Sequence, residues 1–515
     1  MGVPDTQNLP LGMFFRQKKN RSGVVSVQVI DKSGGKYRLV KTIGSSSDAA
    51  EVAELVKQAE TWIKERQGQL NLDFSGGRLQ AEQFLENITQ IRVQGVELLL
   101  GSLFEQIGFG QIKDVLFKRL VLARLCYPAS KLRTTDYFAK YEYLEMDVQS
   151  IYRYMDKLHL KQKEAVQRIS HEHTMQVLGG EMSIVFYDVT TLYFEIEQED
   201  ELRKAGFSKE GKHQHPQILL GLLVSVDAYP LAYEIFEGNK FEGHTMLPVI
   251  EAFKQQYGLG KLVVIADSGL LSKQNIEQLQ SQGYEFILGA RIKNEPAHIQ
   301  EQILSLQIKN GESAAIEKPE GIRLIISYSA ARGKKDAANR QRGLQKLERQ
   351  IKKGKLTKAN INNRGYNKYL KMEGEINISI DHEKFEADKK WDGLKGYLSN
   401  TTLTKNEIIE NYGHLWKIEK AFRVSKNDLK IRPIYHRVQR RIEAHICIAF
   451  AAYKVYKELE RQLKDKKSTL SPEKAIEIAK TIFSVQVKLN ESDETVSKTI
   501  YTRAEQKNLA DLFGF

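Results

Sequence analysis

Ser183 to Phe194 read SIVFYDVTTLYF, and the fold is decided here. β-Branched and aromatic residues dominate the run, so it is a strand. Asp188 interrupts it, and a carboxylate within a buried strand needs compensation. Two more strands follow, Gln217 to Val226 (QILLGLLVSV) and Leu231 to Phe236, around the turn Asp227-Ala228-Tyr229-Pro230. His244 to Gln256 reads as a helix, and Lys261 to Ala266 as an apolar strand ending at Asp267-Ser268-Gly269. Ser272 to Gln282 is again helical, and Tyr284 to Gly289 again a strand. Three leading strands and two helical crossovers predict a mixed sheet covered by helices. Asp267 falls at the carboxyl end of the fourth strand, where open sheets place their sites. If the first strand is central it neighbours the fourth, and Asp188 and Asp267 converge.

Downstream, Asn411 to Lys430 read NYGHLWKIEKAFRVSKNDLK. Leu415, Ile418 and Phe422 recur at helical spacing beside Trp416, and Pro433 stops the pattern. At roughly 100° per residue, Tyr412, Leu415, Trp416, Glu419, Phe422, Arg423 and Lys426 lie within about 60° of Glu419. Glu419 is therefore expected on the inward face, where it either pairs with Arg423 or meets the two aspartates across the sheet edge. The stretch from Arg291 to Asn400 has another texture. It holds the strand IRLIISYS, a basic helix from Ala331 to Lys355, the alternating EINISID, and a returning strand at Trp391 to Leu398. It reads as an insertion whose basic helix is either a solvated face or a phosphate contact. Arg432 to Arg437 (RPIYHR) and an apolar helix opened by Arg440-Arg441 follow, then a tail from Ser471.

Upstream, Phe14 to Ile43 alternate around Ser33-Gly34-Gly35 as a β-hairpin decorated by Lys18, Lys19, Arg21, Lys36, Arg38 and Lys41. Asp48 and Glu51 resemble a capping box opening a helix with Val52, Leu55, Val56, Ala59 and Ile63 inward. The hairpin is either a small DNA-gripping module or an edge-protected sheet. Ala81 to Gly179 is helical, and PASKLRTTDYFAKY with DVQSIYRYMDKL, bearing Arg153 and Lys157, fits a helix-turn-helix pair as well as a plain helical pair.

The 515 residues allow two to four domains, and no apolar run is long enough to span a membrane. The N-terminus lacks an export pattern; Met1, Gly2 and Thr6 match the short myristoylation pattern, which carries little weight. Cys126 and Cys447 are expected to be buried thiols in a reducing compartment, too few for a cysteine-rich zinc site. The net charge of +13 favours a polyanionic partner, nucleic acid first. Lys212-His213-Gln214-His215 lacks further ligands and reads as a loop with incidental histidines. Glu242, in Gly238 to Thr245, either shapes the floor of the site or belongs to the start of the next helix.

Asp188, Asp267 and Glu419 form a constellation suited to Mg²⁺ or Mn²⁺, and two such ions can clamp the attacking and leaving oxygens of a phosphodiester. With FYDVTTLYF, GNKFEGHT, VIADSGLLS, GYLSNT, LWKIEKAFR, RPIYH and RRIEAHI, the chain resembles bacterial insertion-sequence transposases of the DDE class. The subgroup it resembles has a ribonuclease-H-like core, a β-rich insertion and a Tyr-Arg-Glu-Lys signature. Here that signature reads Tyr412, Leu415, Glu419, Lys426, with Leu415 in place of the arginine. The resemblance implies that Asp188, Asp267 and Glu419 hold two Mg²⁺ ions, with Mn²⁺ able to substitute. It also implies that Tyr412 and Lys426 meet DNA phosphates, with Arg423 a candidate for the missing contact. The implied protein binds terminal inverted repeats and target duplex and acts as a homodimer on paired ends. It cuts and joins strands in the bacterial cytoplasm at the nucleoid. A nuclease or resolvase of the same fold, and a domesticated DNA-binding regulator, are the rival readings.

The expected architecture is multidomain α/β. A basic hairpin module spans 1–75 and a helical, DNA-binding region 76–179. The core occupies 180–293 and 401–460, interrupted by an insertion at 294–400, and a C-terminal region covers 461–515.

Overall fold

The computed structural model describes residues 12–20, 22–33, 35–66, 84–158, 162–195, 198–207, 214–259, 262–270, 272–357, 360–362, 365–373, 377–489 and 494–515. The Met1–Thr6 pattern, Arg21, Gly34, Lys212 and His213 lie outside these residues. The chain divides into two compact units, Met1–Thr89 with Val487–Val496, and Gln90–Gln486 with Ser497–Phe515.

In the first unit, β1 (Met13–Lys19), β2 (Val25–Asp31) and β3 (Arg38–Ser46) form an antiparallel sheet. The expected hairpin is β2 and β3. β1 adds a third strand, which its run of polar residues after Phe15 conceals from a period-two reading. Helix α1 (Ala49–Arg66) closes one face, joining Ala59 and Ile63 to Val27 and Val29 in a small core. Asp48 Oδ1 caps α1, accepting from the amides of Ala50 at 2.7 Å and Glu51 at 3.1 Å. Glu51 does not close the box; its carboxylate accepts from the Ser46 hydroxyl.

The second unit is mixed α/β. Eight of its strands are β4 (Ile184–Tyr193), β5 (Gln217–Ser225), β6 (Pro230–Glu237), β7 (Val263–Ala266), β8 (Glu285–Ala290), β9 (Ser313–Glu317), β10 (Arg323–Tyr328) and β11 (Leu394–Ser399). They form one eight-stranded sheet in the order β9-β10-β11-β8-β7-β4-β5-β6, parallel only at β4–β7 and β7–β8. Alternate residues serve opposite faces. Phe186 and Ile265 join one core, Val185, Tyr187 and Val264 the other. The first and fourth strands are parallel neighbours, which the strand order requires if β4 is central.

The sheet continues past β8 with β11, β10 and β9, all drawn from residues 294–400. Within that stretch, α8 (Ala330–Lys352) and the hairpin Leu370–Glu373 with Asn377–Ile380 carry a separate small core of Leu344, Leu347, Tyr369, Leu370 and Phe385. On the helical side, α2 (Val115–Cys126), α4 (Val148–Leu158) and α5 (Gln162–Val177) pack against α11 (Gln439–Asp465), which is apolar on most sides and buried accordingly. α4 turns Ile151, Met155 and Leu158 inward and leaves Arg153 and Lys157 exposed.

Candidate active site

Strand register brings the two aspartates together. Tyr187 pairs with Ala266 across β4 and β7. The next residues, Asp188 and Asp267, thus stand side by side at about the 4.8 Å strand spacing. Each carboxylate accepts from the amide that follows it, Asp188 from Val189 at 2.8 Å and Asp267 from Ser268 at 2.7 Å. Asp188 is half-buried and Asp267 exposed.

Asp267 has a second donor. The Tyr412 hydroxyl reaches its Oδ1 at 3.1 Å. Burial and the neighbouring Asp267 hold the Tyr412 phenol well above its ordinary pKa, so it stays a donor. Gly289, on β8, makes room for this contact: a Cβ there would lie 2.3 Å from the Tyr412 hydroxyl oxygen.

The third acid arrives on a broken helix. α9 (Lys405–Gly413) ends at His414, α10 (Trp416–Arg423) restarts, and a widened turn follows at Val424–Asp428. The expected single helix is therefore corrected, and with it the burial of Glu419. Leu415, Ile418, Ala421 and Phe422 point inward, while Glu419 is exposed and Trp416 is 55% exposed. Within α10, Ile418, Ala421 and Phe422 face the core, and Glu419, roughly 100° round from Ile418, is left at the rim. There it avoids the desolvation cost of an inward carboxylate. α10 packs on β4, the strand of Asp188. Arg423 is exposed and makes no ion pair with Glu419 among the described residues.

Leu415 packs into the core at 8% exposure, so no cation occupies its place. A cation comes instead from β11. Lys395 Nζ stands 4.3 Å from the centre of the Tyr412 ring, and Tyr397 meets Tyr412 edge-on at 4.9 Å between ring centres. Burial first and Arg332 second lower the Lys395 pKa, whereas Asp267 and Glu419 raise it. Both carboxylates thus act on one ammonium group. Lys395 was not legible beforehand, because nothing local in its strand distinguishes it.

Asn275 was also missed. It is 2% exposed on α7 (Lys273–Ser281) and donates to Gly243 O at 2.6 Å and Leu270 O at 2.8 Å. It ties the Glu242–His244 turn to the Ser268–Leu270 turn behind Asp267. A polar residue on the buried side of a short helix was the available signal.

Of the expected residues, Asp188 and Asp267 are neighbours by register, Tyr412 bonds to Asp267, and Glu419 comes near enough to act on Tyr412 and Lys395. Arg423 lies on the same helix facing outward, and Lys426 is half-buried in the widened turn beyond it. Carboxylate oxygens suit a hard divalent cation. Among the described residues, however, no three His, Cys, Asp or Glu side chains form a ready-made metal cage.

A family model described as the transposase DDE domain matches residues 179–454. No curated protein matches the chain. Among solved structures, a cryo-EM structure of a piggyBac transposase synaptic complex with hairpin DNA matches at 9% identity and a TM-score of 0.38. That match covers 78% of this chain and 79% of the other.

Proposed function

The chain belongs to the transposase DDE-domain family, and from that premise we propose that it binds the inverted repeats of a mobile element, cuts there and joins the ends to target DNA. The observation that carries this reading is the register placing Asp188 beside Asp267, with the Glu419 helix packed on the same strand. Three antiparallel strands leading into two parallel crossovers support a ribonuclease-H-like core. The donor set fits Mg²⁺ or Mn²⁺, which when bound by Asp188, Asp267 and Glu419 would stabilise charge on the attacking and leaving oxygens.

The protein's own groups do the positioning. Tyr412 fixes the orientation of the Asp267 carboxylate, and Lys395 supplies positive charge beside the acids where the signature arginine is missing. Arg423, exposed next to Glu419, and Lys426 contact DNA phosphates. The basic sheet of the first unit contributes to recognition of the ends. Two copies act on a pair of ends, because joining both to one target needs two acid sets close together. The work is done in the bacterial cytoplasm on nucleoid DNA; no helix among the described residues is long and apolar enough to cross a membrane.

The test uses a plasmid carrying the gene with its native flanking DNA. Excision and reinsertion that depend on each of Asp188, Asp267 and Glu419 support the reading. Cutting of branched DNA with no joining of ends would make the protein a resolvase instead.

A further inference from the structure

Arg124 lies on the buried side of α2 at 5% exposure, and Lys131, opening α3 (Lys131–Tyr137), is 4% exposed. Arg124 Nη1 makes one long bond, 3.4 Å, to the Leu429 carbonyl, and its Nε has no partner. Among the described residues, Lys131 Nζ makes no hydrogen bond or ion pair, and it keeps a little solvent contact. His445 on α11, 6% exposed, sets Nε2 at 3.0 Å from the Ile431 carbonyl, and its Nδ1 is unpartnered. The ring of His436 is centred 5.3 Å away. Four basic groups from four segments of chain share one interior locality. The charges acting on Lys131 and on the two imidazoles there are positive.

Elsewhere this chain satisfies buried cations with neutral oxygens or acids: Lys454, fully buried, donates to Ser170 O at 2.9 Å and Thr174 Oγ1 at 2.6 Å. Arg441, close by, is held by Asp156 through two bonds of 2.7 Å. In the cleft of about 520 Å³ beside Lys395, Lys293 and Lys368 share Asp388, and Arg340 meets Asp392. A buried cation without a counter-charge is costly, so the cluster calls for an anion from outside the chain. A guanidinium fork and an ammonium are donors only, matching a tetrahedral oxyanion, whereas the neutral His445 ring spends its one N–H on the Ile431 carbonyl.

We infer that Arg124 and Lys131, beside the His436 ring, form a binding site for a phosphate group, distinct from the acid edge. Ile434 N donates to Tyr193 O at 3.3 Å, which ties the segment to the far end of β4. That end lies roughly 17 Å along the strand from Asp188. Leu132 and Tyr435, next to Lys131 and His436, are 60% and 68% exposed, so the cluster lies one residue below the surface. The site's existence does not depend on the catalytic reading; only its source of phosphate does.

The test compares the full wild-type chain with Lys131→Met and Arg124→Met. Thermal melting is followed in inorganic phosphate and in chloride of equal ionic strength. Phosphate should raise the wild-type Tm, and each variant should lose most of that rise while melting no lower than wild type in chloride. A second arm measures duplex DNA binding against salt. If the phosphate belongs to the DNA backbone, each variant lowers the salt slope by about one. An unchanged slope with a lost Tm response assigns the site to free phosphate. A full phosphate response in both variants would overturn the proposal. So would a wild type that responds to phosphate in neither arm, or variants that unfold because the cations are structural.

Discussion

The acid edge and the buried cation cluster hold charge in opposite ways. Asp267 and Glu419 face solvent, and Asp267 accepts bonds from Ser268 and Tyr412. Arg124 and Lys131 are enclosed and meet no acid among the described residues. Exposed carboxylates keep most of their hydration, so holding them near each other costs little and leaves them free to take a cation. Buried cations have lost that hydration, and their cost falls only when an anion joins them. One segment of chain touches both regions. The helix carrying Glu419 runs on into Leu429 and Ile431, whose carbonyls meet Arg124 and His445.

The strongest way to break the comparison is to remove the acids. Partners one shell away from a metal already matter 10- to 100-fold, so Asp188→Asn, Asp267→Asn or Glu419→Gln should lower strand cleavage by more than about 100-fold. DNA-end binding measured in Ca²⁺ should persist. Near wild-type cleavage in any one variant would remove that residue from the site and reduce it to surface charge.

Gly289→Ala attacks the packing behind the acids. The added Cβ would stand 2.3 Å from the Tyr412 hydroxyl oxygen and 3.0 Å from Ser268 N. Strand or ring must yield, at about 1–3 kcal/mol. Both chemical denaturation and cleavage should register the change. Unchanged activity would mean that Tyr412 can leave Asp267 without consequence.

The cation cluster makes stability depend on pH. Burial, with Lys131, Arg124 and Arg441 nearby, lowers the His436 pKa to about 3. Burial with Lys454 lowers that of His173 to about 4. Unfolded imidazoles titrate near 6.5, so between these values the unfolded chain binds more protons. Stability is therefore present above pH of about 6.5 and lost as pH falls toward the folded values. Tm in phosphate-free buffer should decline across that window. A flat profile would mean the imidazoles are already charged and paired.

Much of the core was legible because its strands are continuous apolar runs bounded by Gly, Pro and Asp. β4 to β8 follow the expected order, and the adjacency of Asp188 and Asp267, each one residue past the Tyr187–Ala266 pair, follows from it. The break at Gly413–Leu415 was not legible, since the apolar spacing runs through it undisturbed. The packing of Ile418 and Phe422 on the core sets Glu419, roughly 100° round the same helix from Ile418, at the rim. Lys395, Gly289 and Asn275 act across strands and turns that are distant in sequence. The cation cluster joins residues from 124 to 445, a juxtaposition that only the packing of α2 and α3 against α11 creates.

The smallest expected effect sharpens the comparison most, because it isolates one hydrogen bond. Tyr412→Phe keeps the ring that packs on Tyr397 and under Lys395 and removes only the hydroxyl on Asp267. A bond to a charged acceptor contributes about 1.5–3 kcal/mol, but Asp267 is exposed and water can replace the donor. The change should therefore sit nearer about 0.5–1.5 kcal/mol, or roughly a 2- to 10-fold loss in cleavage rate. If Tyr412 orients the carboxylate, the loss appears in the rate at saturating DNA and in a raised Mg²⁺ requirement, with DNA affinity unchanged. If Tyr412 instead contacts a DNA phosphate, as the family signature implies, affinity falls and the metal requirement stays the same. Its 6% exposure favours the first outcome.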